Sequence, residues 1–404
     1  MSTLKVDNIR HNSATSDAIT MASDGTCTAK ITSIGGGGLS HRNIIINGAM
    51  TVAQRASSTT SNGYKFVDRF QTSVGSLSTG GNVTRSQQSL SSSDTGPWQA
   101  GFRKYARMAT VAAGTANANA YIEIYTHLEA QDIANSGWDY VSASGKITIS
   151  FWFRCSTNQT FYAYLRSRDG TSQAYAFSFT ASGNNTWTKI THTIPGNSNL
   201  TFDDNNDSGL SLYWAPFFGT DYTNNKTLNT WAAYDQNNQV PDMASTWLTS
   251  GAATWDITGV QLEVGDTATS FEHRSYSEEL TRCQRYFAVF PGRSGGIPFW
   301  QCYMGSSTGF CSITVPNFNF RVVPTPTDAT TGTSSSTGSI YDVYGNNHNS
   351  RYSGNGTVTL SCGGYAPSGI GLVMSFGTHQ SGTKEAVVAS WNGALPGIYL
   401  DAEL

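Results

Sequence analysis

Apolar and polar residues alternate with period two through KITISFWFR, residues 146–154. Ile147, Ile149, Phe151 and Phe153 fall on one side, and Thr148, Ser150, Trp152 and Arg154 on the other. Alternation over this length predicts a strand with one face in a sandwich core. FYAYLRSR (161–168), AYAFSFT (174–180) and TWTKITHTI (186–194) follow as further strands at turn-separated intervals. In ATWDITGVQLEVG the phase slips at Gly259: Trp255 and Ile257 precede it, while Val260, Leu262 and Val264 follow on the other parity. A glycine at such a slip predicts a β-bulge. Many short strands separated by Gly and Asn turns predict a mainly β fold, with a jelly-roll β-sandwich body over 41–274.

One stretch breaks the pattern. In FEHRSYSEELTRCQRY, residues 271–286, charges crowd together and Gly and Pro vanish. Tyr276, Leu280, Cys283 and Phe287 are spaced four, three and four, which is one face of a helix. Ser275 followed by Glu278 matches a capping box, whose serine contributes about 1 kcal/mol. Glu278 and Arg282 make the favourable i, i+4 pair. A short connecting helix is therefore expected within 275–290. Its stripe either packs on a sheet of the same chain or meets two other copies on an axis; two heptads leave both open.

The flanks read differently. Residues 1–34 carry short apolar islands, LKVDNI and DAITM, too sparse to bury a core alone. Gly35–Gly38 is a linker signal, so 1–40 reads as a separate anchoring segment. After the helix, CSITVPNFNFRVVPTPT alternates and then breaks on prolines, and GIGLVMSFG and KEAVVASW read as closing strands. Residues 291–404 are expected to form a second, smaller C-terminal β-sandwich.

Composition narrows the function classes. Only 13% of the 404 residues are charged, aromatics reach 12%, and the net charge of −3 offers no basic footprint for nucleic acid. No apolar run approaches the ~18 residues of a membrane helix. The start, MSTLKVDNIRHNS, lacks the pattern of a signal peptide, so synthesis in a cytosol is expected. The six cysteines are scattered without CxxC pairs, which favours free thiols over a disulfide frame or a zinc site.

Candidate chemistry is sparse. Glycoside cleavage needs two carboxylates facing one bond, and Glu123, Glu129, Asp132, Asp256 and Glu263 carry no pairing signal. Neither GxSxG nor HExxH occurs, and Cys155 has no local His motif, so neither an enzyme nor a cofactor is expected. In DDNNDSG (203–209) an Asx-rich turn is favoured; Asp203, Asn205 and Asp207 would be the ligands if a cation were bound. His273 and Arg274 read as structural residues at the domain junction. For recognition, YDVYGNNHNSRYSG (341–354) combines flat aromatic faces, amides and an arginine. Tyr341, Tyr344, Asn346, Asn347, His348, Arg351 and Tyr352 are the candidate receptor-binding residues, with packing inside the tip as the alternative role.

ITGVQLEVGDTATSFEHRSYSEELTRCQRYF (257–287) resembles a segment of bacteriophage tail fibre proteins. RNIIINGAM (42–50), AQR (53–55), VDRF (67–70), ITISFWFR and the IPG at 194–196 fit the same pattern. The opening LKVDNI…DAITM…DGT is similar to virion-attachment segments, while 288–404 shares only the general style of fibre tips. The resemblance implies a homotrimeric virion protein, assembled in the host cytoplasm. Its residues 1–34 would dock on other virion proteins, its helix would hold the trimer axis, and its tip would bind a host surface glycan or outer-membrane receptor. The body could bind glycan as well. The competing expectations are a head or neck decoration protein with a purely structural role, and a polysaccharide depolymerase tailspike.

Overall fold

The structure, a computed structural model, describes residues 42–77 and 83–291 continuously, most of 6–29, and the strands of 300–401. Beyond residue 289 it describes side chains only at 319–326 and 399–404. Near the N-terminus, β1 (Asn8–Ile9), β2 (Ile19–Met21) and β3 (Cys27–Ala29) pair as an antiparallel meander, with Ile9 and Met21 exposed. The glycine run lies outside the described residues.

The body is a β-sandwich of two six-stranded sheets. Its strands are β4 (Ser58–Thr59), β5 (Gln71–Gly75), β6 (Val83–Ser89), β7 (Lys104–Thr110), β8 (Tyr121–Glu129), β9 (Lys146–Cys155), β10 (Asn158–Ser167), β11 (Gln173–Ser182), β12 (Thr188–Pro195), β13 (Ser208–Phe218), β14 (Trp231–Ala233) and β15 (Thr254–Val264). One sheet runs β14-β11-β10-β13-β8-β5 and the other β12-β9-β15-β7-β6-β4. Four antiparallel pairs nest inside one another: β10 with β11, β9 with β12, β8 with β13, and β7 with β15. Folding such a nested ladder in two gives the jelly roll that the strand pattern predicts.

Ile147, Ile149, Phe151 and Phe153 are fully buried between the sheets, as their alternation requires. Gly259 has φ +64, and the β15–β9 register shifts between Thr258 and Gln261, so the phase slip is a bulge. A Cβ there would meet the Phe102 ring at 2.6 Å.

The helix forms as α3 (Tyr276–Gln284), after α1 (Ala130–Ala134) and α2 (Thr246–Thr249). Ser275 Oγ accepts from Glu278 N at 3.3 Å, which satisfies one orphan donor. The Glu278 carboxylate takes Arg282 at 3.1 Å rather than reaching back to the cap. The predicted stripe needs correcting. The helix stops at Gln284, so Phe287 is buried in the next strand, β16 (Phe287–Pro291). Tyr276 is 60% exposed, Leu280 is half-buried, and the face turned to the body carries Glu279 and Cys283. Glu279 was masked in the pattern because its partner is backbone: its carboxylate accepts from Asn47 N at 2.5 Å.

Residues 43–45, 54–55, 68–69, 272–274 and 286–287 meet along this seam. Arg274 donates to the carbonyls of Asn43 and Ile45, and Glu272 accepts from Asn43 N at 2.7 Å. Gln54 bridges Asp68 (2.6 Å) and the carbonyl of Phe287 (2.8 Å). Arg69 lies 3.4 Å over the Tyr286 ring and pairs with Glu403; Arg55 lies 3.5 Å over Phe287 and pairs with Glu403 (3.2 Å) and Asp401 (3.0 Å).

Glu403 reaches this seam because β24 (Gly397–Asp401) pairs with β16 and with β19 (Thr325–Asp328). Between them, β17 (Trp300–Met304), β18 (Gly309–Val315), β20 (Ser335–Asp342), β21 (Thr357–Ala366), β22 (Gly369–Ser375) and β23 (Ala386–Trp391) close in the ring β17-β18-β22-β21-β20-β23. The two-sheet sandwich expected there gives way to this single closed barrel of backbone pairs.

Candidate tyrosine groove

The sheet containing β8, β10 and β13 has apolar residues on both faces. Ile122 and Ile124, Phe161, Ala163 and Leu165, and Leu212 and Trp214 point into the core. The alternate positions therefore point outward: Tyr121, Glu123 and Tyr125 on β8, Tyr162, Tyr164 and Arg166 on β10, and Ser211 and Tyr213 on β13. Antiparallel register lines them up in rows. Tyr164 sits opposite Tyr213, which sits opposite Tyr125. Their rings stack at 4.5 Å (Tyr164–Tyr213) and 4.7 Å (Tyr213–Tyr125). The row above is Arg166–Ser211–His127, and one row below, Glu123 faces Ser73 of β5.

The segment between β13 and β14 and its continuation to Met243 close over part of this face. Tyr164 Oη donates to Gln239 Oε1 at 2.6 Å, and Tyr222 meets Tyr121 edge-on at 5.6 Å. What stays open is a groove of about 370 Å³. Its floor is Tyr121, Glu123, Tyr164, Tyr213 and Phe218, and its rim is Tyr222, Tyr234, Gln236 and Gln239. Arg166 stacks on Tyr234 at 3.6 Å.

Glu123 is the one carboxyl among the described lining residues, and it makes no hydrogen bond or ion pair with a described residue. Burial pushes it up to about 7, against the pull of Arg168. Because the folded state holds this proton more tightly than the unfolded chain, the group stabilises the fold below its ordinary value of 4.5. That contribution drains away as pH rises toward about 7. Glu123→Gln, which has no proton to lose, should match the parent near pH 4.5 and become the more stable of the two at pH 7. Urea denaturation at several pH values reads this; parallel curves would show that Glu123 is well hydrated.

The other acids are committed to structure. Arg285 and Tyr286 saturate Glu129, at 2.7, 2.7 and 2.6 Å. Arg107 and Arg154 share the fully buried Asp256. Glu263 accepts from Gln261, Thr269 and Arg42. Asp132 lines a different cleft, of about 550 Å³, with Arg42 and Arg282.

The remaining sequence candidates fall as follows. Tyr341 is in β20 and its side chain lies outside the described residues, as do Tyr344, Asn346, Asn347, His348, Arg351 and Tyr352 altogether. In DDNNDSG, Asn205 Oδ1 accepts from Asp207 N at 2.9 Å, an Asx turn. The carbonyls of Asp207 and Asn205 take the first N–H groups of α1, so the turn caps that helix. Asp203 N donates to Asp169 at 3.1 Å, and no group of three or more metal-binding side chains occurs among the described residues. His273 packs on Phe102 and Phe271, and Cys155 is buried with its thiol pushed up to about 12.

The tyrosine groove itself was missed, although YIEIY and FYAYLR both place tyrosines two residues apart. Only the register across three strands brings those tyrosines together.

No protein-family model matches the sequence, and no curated protein matches it. Solved structures similar to the chain include the enzymatically active domain of tailspike protein 4 of bacteriophage CBA120, at 9% identity and TM-score 0.29; the match covers 55% of this chain and 21% of that one. The N-terminal cellulose-binding domain of Cellulomonas fimi β-1,4-glucanase C matches at 11% and 0.26, covering 54% and 100%. A family 11 carbohydrate-binding module from Clostridium thermocellum matches at 9% and 0.24, covering 54% and 98%. At these scores the functional reading rests on the groove's own residues.

Proposed function

We propose that the chain is a non-enzymatic subunit of a homotrimeric phage tail fibre, located in the virion, and that its body binds host surface glycan in the tyrosine groove. The observation that carries the glycan reading is the open slot walled by the half-buried Tyr121, Tyr222 and Tyr234, over the buried Tyr164–Tyr213 stack that holds its floor. Partly accessible tyrosine edges and faces, with the Gln236 and Gln239 amides to meet sugar hydroxyls, are the mixture that holds a carbohydrate. A single carboxyl among the described lining residues argues for binding over cleavage, which uses two carboxyls about 5–10 Å apart. The fibre assignment draws on the resemblance of 257–287. Tyr276, exposed on α3, and the half-buried Leu280 are available to other copies. Residues 1–34 would attach to the virion, and the tip would add a second host contact. Three linked grooves raise the effective concentration on a cell surface, so millimolar single sites suffice.

The test is the whole chain on an array of bacterial-type glycans, with native mass measured alongside. A mass three times 43.4 kDa is expected. Tyr121→Ala and Tyr222→Ala should each weaken glycan binding about tenfold at unchanged melting temperature. A monomer would end the fibre reading, and glycan binding indifferent to both substitutions would move the site elsewhere.

A further inference from the structure

Most arginines of the body are matched by acids: Arg42 by Glu263, Arg107 and Arg154 by Asp256, Arg274 by Glu272 and Glu279, Arg285 by Glu129. Arg166 and Arg168 differ. Arg166 is the last outward position of β10 and lines the groove, while Arg168 follows just past the strand's end, against Tyr213; among the described residues neither has a carboxylate at ion-pair distance. Both are nevertheless held in place. Arg166 Nε donates to Ser172 Oγ at 3.1 Å while its guanidinium stacks on Tyr234. Arg168 Nε donates to Ser211 Oγ at 2.9 Å, and its Nη2 donates to the Tyr213 hydroxyl. The Nη1 and Nη2 groups of Arg166, and Nη1 of Arg168, have no partner among the described residues.

Among the described residues the surroundings place no carboxylate in contact with either guanidinium. His127, across Ser211, is pushed down to about 3 by burial and then by Arg168, Arg69 and Arg166, so it stays neutral. Glu123 lies two rows away and feels Arg168 only through space, and Asp235, outside the groove lining, is exposed and accepts from Asn237 N. Guanidiniums fixed by neutral partners, with donors left over at the edge of a groove, are built to take an oxyanion.

We propose that the groove's ligand is an acidic glycan, whose carboxylate or phosphate is held by Arg166 and Arg168 while a sugar ring lies against the half-buried groove tyrosines. This rests on the glycan reading above and adds the charge of the ligand.

The experiment titrates the whole chain with two sets of oligosaccharides. The acidic set comprises oligogalacturonate, oligomannuronate, oligosialate and a phosphodiester-linked glycan; the neutral set comprises the methyl esters of the carboxylated sugars, with galactan and dextran fragments. An acidic sugar should bind about tenfold more tightly than its methyl ester in low salt, and added salt should narrow that gap. Arg166→Gln together with Arg168→Gln should erase it. Arg166→Gln alone, which loses one side-chain hydrogen bond, covers the case in which the double variant melts early, and should remove at least half of the preference. Neutral sugars binding in a Tyr121-dependent way as tightly as acidic ones would overturn the charge inference and leave the glycan reading standing. An acidic preference unchanged in both arginine variants would also overturn it. No binding by either set would sink both.

Discussion

Glu403→Ala is expected to destabilise the fold by about 3–5 kcal/mol, the usual cost of removing one partner from a buried ion pair. Glu403 is the shared acid of Arg55 and Arg69, whose side chains are only 6% and 2% exposed. Without it, Arg69 keeps the Tyr286 ring and the His127 carbonyl, neither of which neutralises a buried guanidinium. For a body of this size the melting temperature should fall on the order of 10 °C. Near-UV circular dichroism during a thermal melt measures it, and a fall under about 3 °C would mean that the C-terminal tail peels away at little cost. Replacing Arg55, Arg69 and Glu403 together with apolar residues should recover much of the loss, since no buried guanidinium is then left without its acid.

Phe153→Ala should cost a similar amount, about 3–5 kcal/mol, by a different route. Phe153 is fully buried and touches Phe179 at 4.9 Å, Trp255 at 5.1 Å and Phe161 at 5.6 Å, so its ring joins the two sheets. Those neighbours are themselves aromatic and interlocked, and they can fill the void only by leaving their own positions. A guanidinium titration should show a lower midpoint at unchanged slope. A cost near 1 kcal/mol would show that the sheets close over the gap.

Both sites mark how far the sequence could be read. Phe153 follows from local alternation, because a residue's side of a strand depends only on its parity. The Gly259 bulge and the Ser275 cap are equally local. The stripe on α3 failed where a tertiary partner intervened: Glu279 reads as solvated, yet it is buried because Asn47, more than two hundred residues earlier, offers a backbone N–H. The Arg55–Arg69–Glu403 cluster joins one stretch near the start of the body to the last residues of the chain, and nothing near either announces the other. The tyrosine groove lies between these cases. Each strand's tyrosines were legible as outward-facing, but the row exists only once β10, β13 and β8 are in register, and β8 and β10 are adjacent to β13 only through the nested pairing.

That nesting also sets a timetable for a chain leaving the ribosome. Its inner hairpin, β10 with β11, can close as soon as Ser182 is free, because the partners are neighbours in sequence. Ala109 must wait for Thr254. During that interval the meander of β4, β6 and β7 has an open edge, and unpaired edges invite association with other chains. Long-range closure is slow in its own right, so the last pair to form governs how long the exposure lasts.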